Sequence, residues 1–506
     1  MTTARTDGRF QRSRCVVGLL CALVAGCAVG PDFKKPVAPE IVDYTAHPLA
    51  TTTSTPNVAA GDAQHLVKDS DIAGDWWTLF HSQPLNDLIE RSLAKNPTIT
   101  AAQAALTVAK ENTRAQRGAF FPSIAADVSG TRYSQPGTLA PVPSSNAFEY
   151  NLFTPQLSVS YVPDVFGLNR RTVESLQAQE NAVRFQLIAA HTTLSSNLVV
   201  AAIQEGALQA QIDATREMID INTKMLEILR YQFEKGYVGK LDVAAQETQL
   251  AQTAGTLPPL LKQLDQQHNA IAVLAGEIPN QSPAQRFDLA SLQLPTDLPV
   301  RLPSELVAQR PDVQQAEANM RAANAQIGVA IANRLPSIEL TGNAGSTALA
   351  IGSVFKSGTG FWSLGADIAA PIFQGGKLLH LERAAKAAYV QAAEQYRGTV
   401  LTAFQNVADS LAALEHDADS LKSAAVAADA AKIALDLSQL QTKSGYATYL
   451  TFLSAEQAYH QARIALIQAQ ANRYSDTAAL FQALGGGWWH RADLTRTDTN
   501  GTLDEN

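Results

Sequence analysis

Cysteine is nearly absent from this chain, which has only three among its 506 residues. Cys15 and Cys21 lie in an N-terminal stretch with the features of a leader that is removed, so Cys27 is the only cysteine expected in the mature chain. A single thiol cannot form an internal disulfide bond or a cysteine-based metal site. The sequence therefore excludes both kinds of structural support.

The sequence also lacks the residue spacings that carry enzyme chemistry. Its nine histidines are scattered and form no HExxH pair. There is no GxSxG elbow, no GxxxxGK[ST] loop and no GxGxxG turn between a strand and a helix. No residue stands out as a nucleophile or as one half of an acid-base pair. We therefore predict that the chain is not an enzyme and that it uses no cofactor and no metal.

Long apolar runs and one-sided charge are missing as well. After the leader no run of about 18 or more apolar residues occurs, so no transmembrane helix is predicted. The formal net charge is −8, with both signs dispersed along the chain. This distribution argues against nucleic acid as a partner and against a basic patch for a membrane surface.

Residues 1–26 have the form of a bacterial lipoprotein signal peptide. A basic start and an apolar stretch too short to span a bilayer end in Val24-Ala25-Gly26-Cys27. In such a lipobox the thiol of Cys27 takes a lipid. The alternative is an ordinary secretory signal with an incidental cysteine. Ala28, where aspartate would resemble an inner-membrane retention signal, favours the outer membrane as the destination.

The rest of the chain repeats its own architecture once. Four landmarks recur in the same order after about 200 residues, which is far longer than a solenoid unit. They are Asn96-Pro97 and Arg310-Pro311, Pro122-Ser123-Ile124 and Pro336-Ser337-Ile338, Val165-Phe166-Gly167 and Phe373-Gln374-Gly375, and Gly236-Tyr237 and Gly445-Tyr446. The predicted segments are the signal peptide 1–26, a lipidated linker and equatorial segment 27–96, repeat 1 at 97–277, a linker and equatorial segment 278–310, repeat 2 at 311–484 and a C-terminal tail 485–506.

Each repeat is predicted to contain a helix, a β-hairpin, a long helix and a return helix. In the hairpins apolar and polar residues alternate with a period of two, as in strands with two different faces. The apolar set is Ile124, Val128, Leu157, Val159, Leu340, Leu364 and Ile368. The polar set is Asp127, Ser158, Ser160, Glu339, Thr341 and Asp367.

The long helices are predicted over Asn169–Glu234 and Lys377–Lys443, which contain no proline. At ~1.5 Å per residue each is a rod of ~100 Å. A heptad seam favours coiled-coil packing in the first rod, with looser or partly wet contacts at its polar members. The seam is Leu194, Leu198, Ala201, Glu205, Leu208, Ile212, Thr215, Ile219, Asn222, Leu226, Leu229 and Phe233, and in the second rod Leu401, Phe404, Ala408, Leu411 and Glu415.

Each rod ends at a Gly-Tyr turn, and a second helix is predicted to run back from it. Glycine suits the left-handed conformation that commonly ends a helix. The return helices are expected at 241–276 and at 448–484. The first of them is expected to be kinked or broken near Pro258-Pro259, because proline removes a helical hydrogen bond.

Four strands cannot close a barrel by themselves. Lipid tolerates no open sheet edge and transmembrane barrels begin at about eight strands, so several copies must pool their strands. Two copies would give about eight strands with a filled lumen, whereas three copies give about twelve and leave a path for water. The polar set would then line the pore and the apolar set would face lipid. The alternative is a soluble pair of hairpins packed on helices.

An ordered series of motifs covers nearly the whole mature chain. They are Cys27-Ala28-Val29-Gly30-Pro31-Asp32-Phe33 with Pro36, Tyr161-Val162-Pro163-Asp164-Val165-Phe166-Gly167 with Arg170-Arg171, Pro371-Ile372-Phe373-Gln374-Gly375-Gly376, and Ala483-Leu484-Gly485-Gly486-Gly487-Trp488. In this order they resemble the outer membrane factor (TolC-like) family, in its lipoprotein branch that serves tripartite RND-type efflux systems.

The resemblance implies an α+β membrane protein that works as a trimer. Its twelve-stranded β-barrel, with four strands per chain, would continue as a long periplasmic α-helical coiled-coil barrel. The implied function is that of the outer-membrane channel of an efflux pump, a passive exit duct for small toxic compounds or drugs. The implied partners are two further copies, a periplasmic adaptor protein, an inner-membrane RND-type transporter and outer-membrane lipid.

The resemblance also assigns roles around the two Gly-Tyr turns. The residues expected to bind the adaptor are Gly236, Tyr237, Val238, Gly239, Gly445, Tyr446, Ala447 and Thr448. Asp242 matches a carboxylate that holds the closed tip, although a helix-start residue favoured by the dipole is the alternative role. Relatives often carry an acid just after the second turn, where this chain has Thr451 and Ser454. Gating is therefore assigned to Asp242, Tyr446 and Tyr449.

Two other functions remain open at this point. The chain could be the exit duct of a type I protein-secretion system, although the lipid anchor and the Gly-Gly-Gly-Trp ending favour the efflux branch. It could also be a lipid-anchored periplasmic coiled-coil scaffold that forms no pore.

Overall fold

The computed structural model describes residues 28–37, 43–68, 70–134, 149–281, 286–300 and 303–495. The predicted signal peptide and Cys27, the predicted lipidation site, lie outside the described residues. The chain divides into two compact units. The first contains Met1–Lys35, Leu106–Val183 and Ala316–Tyr396, and the second contains Pro36–Ala105, Arg184–Gln315 and Arg397–Asn506.

The described residues form six strands, nine α-helices and five short 3-10 turns. The strands are β1 (His65–Lys68), β2 (Ser123–Ser134), β3 (Glu149–Tyr161), β4 (Asp297–Val300), β5 (Ser337–Ser346) and β6 (Gly360–Ala369). The α-helices are α1 (Gln83–Lys95), α2 (Pro97–Gly118), α3 (Leu168–Glu234), α4 (Lys240–Leu274), α5 (Pro303–Gln309), α6 (Pro311–Ala332), α7 (Lys377–Lys443), α8 (Tyr449–Ala483) and α9 (Ala492–Thr495). The 3-10 turns are Trp76–Phe80, Pro279–Gln281, Leu289–Ser291, Ile351–Ser353 and Trp488–His490.

Both predicted rods are confirmed. Helices α3 and α7 each have 67 residues, and α7 has the predicted bounds. The predicted break in the first return helix is wrong, because α4 continues through Pro258 and Pro259. Both prolines are exposed, so water can hydrate the carbonyl groups that lose their helical donors. An exposed helical position therefore tolerates a proline that a buried position would not.

The first unit contains one four-stranded antiparallel sheet in the order β2-β3-β5-β6. Each hairpin pairs within itself, and β3 pairs with β5 to join the two hairpins. Strands β2 and β6 are the two edges. The predicted pair of hairpins is confirmed, and the contact between them is the part that the sequence did not reveal.

The segment 28–35 packs on helices of the same unit. The Arg171 guanidinium, which is almost fully buried, donates hydrogen bonds to the carbonyl oxygens of Val29 (3.0 Å) and Gly30 (3.2 Å). The N–H of Val29 donates to the Phe166 carbonyl at 3.1 Å, just after β3. Ala28 lies against Gly167, where a Cβ atom would come within 2.6 Å of it. The residue that follows the predicted lipidation site is therefore fixed beside the loop that ends β3.

The heptad seam of α3 lies in the second unit and is largely confirmed. Nine of its twelve members are buried, Leu208 and Ile219 are half-buried, and Phe233 is exposed. Of the seam predicted for α7, Leu411 is buried within this chain, Phe404 and Ala408 are half-buried, and Leu401 and Glu415 are exposed. The buried apolar positions in the middle of α7 include Val400, Ala403, Val407, Leu411, Leu414, Ala418 and Leu421. Alanine occurs on every side of α7, so its apolar pattern does not fix which side is buried.

Two features of the second unit were not predicted. Strands β1 and β4 form a parallel pair in which His65 lies opposite Asp297, within segments interpreted as linkers. Four residues are too few for a periodic signal. In addition, α3 contains a stretch that by length and composition could cross a membrane. Since most of that stretch is buried, it is typical of a core helix.

Candidate functional site

The six polar residues predicted to line a pore lie on one face of the sheet. Residues directly opposite each other on neighbouring strands share a face. The opposite pairs are Asp127 and Gln156, Ser158 and Asn343, Ser160 and Thr341, and Glu339 and Asp367. Positions 156, 158 and 160 alternate along β3 and share its face, and so do 339, 341 and 343 along β5. The register therefore places the whole polar set together.

Hydroxyl–carboxylate hydrogen bonds cross this polar face. Ser158 Oγ donates to Asp127 Oδ2 at 3.0 Å, and Ser160 Oγ donates to Glu339 Oε1 at 2.7 Å. Glu339 and Asp367 lie directly opposite each other, which is destabilising for two like charges unless water or cations screen them. The face is thus suited to contact water and to attract cations.

The other face of the sheet is apolar, and none of the described residues covers it. Ile124 lies opposite Val159, and the exposed side chains include Val128 at 85%, Leu364 at 81% and Ile368 at 72%. A continuous apolar surface of this kind is unusual on a soluble protein and marks contact with lipid or another chain. All seven residues predicted to face lipid lie on this face.

The two Gly-Tyr turns have the same backbone structure. Gly236 and Gly445 have φ angles of 80° and 76°, which a residue with a side chain adopts only with strain. The N–H of Tyr237 donates to the Gln232 carbonyl, and that of Tyr446 to the Gln441 carbonyl, both at 2.9 Å. These bonds form Schellman motifs, which end a helix sharply. The side chains of Tyr237 and Tyr446 are 79% and 88% exposed.

Both return helices begin with a cap just after the turn. Gly239 precedes α4, and its N–H donates to Asp242 Oδ2 at 3.1 Å. Thr448 precedes α8 and accepts a hydrogen bond from the Thr451 N–H at 3.4 Å. Within this chain Asp242 therefore has the helix-start role that was the alternative to gating. An aspartate in the first turn is also favoured by the helix dipole.

Tyr449 differs from Tyr446 in that it is only 8% exposed. Its hydroxyl donates to Gln246 Oε1 at 2.5 Å, and Gln246 Nε2 donates to Asn222 Oδ1 at 2.7 Å. Asn222 Nδ2 in turn donates to Glu456 Oε1 at 2.5 Å. We call Asn222, Gln246, Tyr449 and Glu456 the tip cluster. It joins α3, α4 and α8 through one continuous chain of hydrogen bonds.

Apolar side chains enclose the tip cluster. The core around Tyr449 consists of Met218, Met225, Leu229, Leu435, Phe452 and Tyr459, and Val238 of the first turn packs against it. Glu456 is 1% exposed, and burial raises the pKa of its carboxyl group. Burial, together with the charges of Glu456 and Asp242, also raises the pKa of the Tyr449 hydroxyl.

The three predicted gating residues have different surroundings, and Asp242 caps α4. Tyr449 lies inside the tip cluster, whereas Tyr446 extends into solvent. The expected loose packing at Asn222 is wrong, because this residue is fully buried and its amide nitrogen has two acceptors. Gln246 and Glu456 were missed. A polar residue at an inward position of each return helix was the only available signal, and it does not indicate a partner about 200 residues away.

The family model described as "Outer membrane efflux protein" matches residues 88–277 and 302–486. The chain is 30% identical over 474 residues to the toluene efflux pump outer membrane protein TtgC of Pseudomonas putida, covering 93% of this chain and 94% of TtgC. It is 28% identical over 483 residues to outer membrane protein OprJ of Pseudomonas aeruginosa, covering 94% and 96%. The solved outer-membrane channel OprN superimposes with a TM-score of 0.82 at 26% identity, covering 91% of this chain and 100% of OprN.

Proposed function

Because this chain belongs to the outer membrane efflux protein family, we propose that three copies of it form the exit duct of a tripartite pump for small toxic compounds. The predicted α+β channel fold, the outer-membrane location and the assignment as a non-enzymatic efflux component agree with the family and are confirmed. The number of copies, the pore-lining residues, the partners and the substrates are the proposed part.

The observation that carries the proposal is the two-faced sheet with two open edges. One face carries Asp127, Glu339 and Asp367, and the other is apolar and exposed. In lipid an open strand edge leaves backbone groups without partners, so β6 of one copy would pair with β2 of the next. Three copies would close a barrel of about twelve strands, with the charged face toward water and the apolar face toward lipid.

Two other places in the chain support the proposed lipid anchor and the proposed partners. Ala28 lies beside the loop that ends β3, which supports a lipid on Cys27 at the membrane surface. The exposed Tyr237 and Tyr446 at the glycine turns support an adaptor-binding tip. An adaptor bound there would connect the duct to an inner-membrane RND-type transporter, which would supply the energy. One relative is named for toluene efflux, so small apolar compounds are the proposed substrates.

Drug susceptibility and conductance test the proposed function together. Deleting the gene should increase susceptibility to small apolar toxicants by at least about fourfold, with no effect on protein secretion, and a plasmid copy should restore resistance. The purified protein should give discrete conductance steps in planar bilayers. Loss of a secreted protein without increased susceptibility would favour a type I secretion duct. A protein that gives no conductance steps would be a scaffold.

The proposed adaptor contact is tested in the same strain by cross-linking. Cys27 is the only cysteine expected in the mature chain, so the variant Tyr446→Cys offers one accessible thiol. It should cross-link to the co-produced adaptor of the pump, whereas Glu415→Cys on the exposed side of α7 should not. Equal cross-linking at both positions would contradict an adaptor site at the turns.

Neutralising the charged sheet face should change ion selectivity without closing the pore. The variant combines Asp127→Asn, Glu339→Gln and Asp367→Asn, which removes about nine carboxylates from a trimer. Because these carboxylates attract cations, the wild-type channel should prefer K⁺ to Cl⁻ by several-fold, and the variant should approach no preference. The reversal potential in a salt gradient measures this ratio. An unchanged reversal potential would place these residues outside the conduction path.

A further inference from the structure

Glu456 combines almost complete burial with an incomplete set of partners. Its Oε1 accepts the hydrogen bond from Asn222, whereas its Oε2 has no hydrogen-bond partner within the described residues. An ionised carboxylate is strongly disfavoured in such a place, because an apolar surrounding replaces the water that would solvate it. The geometry therefore favours a neutral carboxyl group at this position.

Charged groups on the surrounding helices do not offset this burial. On α3 the charge of Glu217 acts on Lys432, and on α4 the charge of Asp242 acts on Tyr449. On α7 Lys432 is 2.7 Å from Asp436 and 5.5 Å from the ring of Tyr459. On α8 burial lowers the pKa of His460, so this histidine is neutral near neutral pH. Burial raises the pKa of Glu456, and the hydrogen bond from Asn222, with the amide of Gln249 nearby, only partly opposes this effect.

The tip cluster joins two helical hairpins. Asn222 and Gln246 belong to the first hairpin, α3 and α4, whereas Tyr449 and Glu456 belong to α8 of the second. Two bonds of the tip cluster cross between the hairpins, from Asn222 to Glu456 and from Tyr449 to Gln246, and both measure 2.5 Å. Beside them, Gln457 Nε2 of α8 donates to Gln249 Oε1 of α4 at 3.1 Å. Moving the second hairpin away from the first would break these bonds and admit water to Glu456.

We propose that Glu456 is a proton-controlled positioning residue whose neutral form holds the second hairpin against the first and keeps the duct closed. Its ionisation frees the hairpin and widens the periplasmic mouth. This inference rests on the proposed duct function, in which the two Gly-Tyr turns surround that mouth. It assigns the gate to a buried glutamate in place of the acidic residues that are missing at Thr451 and Ser454.

The direction of the pH dependence follows from the raised pKa. Glu456 has a higher pKa when the hairpins are packed than when it is exposed, so protonation stabilises the packed state. This stabilisation is complete below the ordinary pKa of glutamate. It falls as the pH rises above that value and levels off beyond the raised pKa. Opening is therefore favoured by a rise in pH.

Single-channel recording of the purified full-length protein tests this inference. Between about pH 5.5 and about pH 8 the wild-type open probability should rise on the order of tenfold, because ionisation of Glu456 favours the open state over the packed state. Glu456→Gln keeps the shape and an acceptor oxygen but cannot ionise, so its open probability should stay low throughout. Glu227→Gln, an exposed acid of α3, is the matched control and should keep the wild-type profile.

Tyr449→Phe separates pH sensing from simple loosening of the tip. It removes one bond between the hairpins and leaves Glu456 in place, so the open probability should be higher at every pH with the pH dependence retained. Identical pH profiles for wild type and Glu456→Gln would overturn the inference and leave the duct function intact. Wild-type protein without any conductance steps would overturn the proposed function, and this inference with it.

Discussion

Replacing Leu364 with lysine should prevent the chain from assembling into a channel. Leu364 is 81% exposed on the apolar face of the sheet and lies opposite Gly342 in the middle of β6. A lysine that faces the middle of the bilayer costs about 2–4 kcal/mol, and a trimer carries it three times. Gel filtration in detergent and outer-membrane fractionation should show at least a ~tenfold loss of assembled protein.

The neighbouring residue supplies the control for this experiment. Ser363 lies on the polar face of the same strand, opposite Asn343. Ser363→Lys adds the same charge one residue away, where the proposed lumen contains water, so it should assemble normally and only reduce cation selectivity. Equal assembly of both variants would show that the apolar face does not contact lipid and would favour the soluble-hairpin alternative.

Replacing Gly487 with alanine should strongly destabilise the second unit. Gly487 has a φ of 68°, and a Cβ atom there would lie 2.3 Å from the Ala73 carbonyl oxygen. The left-handed conformation costs an alanine about 1–2 kcal/mol. The clash with the backbone must then be relieved by moving the segment, so we expect a total loss of about 3 kcal/mol or more. Thermal unfolding followed by circular dichroism measures this loss.

The same substitution should also release the C-terminal segment. Trp488 Nε1 donates to the Gln309 carbonyl at 2.6 Å, and Trp489 Nε1 donates to Asp71 Oδ1 at 3.1 Å. Both contacts depend on the chain reversal at the three glycines, so tryptophan fluorescence should shift to longer wavelength. Gly255→Ala is the matched control, because this helical glycine has open space at its Cβ position. It should stabilise the protein by about 0.5–1 kcal/mol. A Gly487→Ala variant as stable as this control would contradict the assigned strain.

The sequence was most informative where a pattern is local. The period of two in the hairpins predicted the strands β2, β3, β5 and β6, and the absence of proline in the rods predicted the bounds of α3 and α7 to within a residue. The alternation also sorted the polar and apolar residues of the sheet correctly, because every second residue of a strand shares a face. The predictions failed where no such local pattern exists. In α7 alanine occurs on all sides, so the pattern did not identify the buried side.

The tip cluster shows most clearly which contacts the sequence pattern did not predict. Asn222 was visible as a polar member of a seam, but its partners Gln246 and Glu456 lie on other helices and no periodicity connects them. The strands β1 and β4 were missed for a similar reason, since they come from two segments far apart in the chain. Pairing between distant segments depends on the fold, and one sequence without its fold does not specify it.

The amino-acid sequence by itself determined the duplicated architecture, the two-faced strands, the proline-free rods and the glycine turns, because each is set by interactions between residues a few positions apart. Only the tertiary structure decided which polar residues meet. It buried Tyr449 and exposed Tyr446, gave Asp242 the role of a helix cap, and placed Glu456 against Asn222 inside an apolar core. These outcomes depend on how separate helices pack, and packing removes water from groups whose local sequence gives no sign of burial.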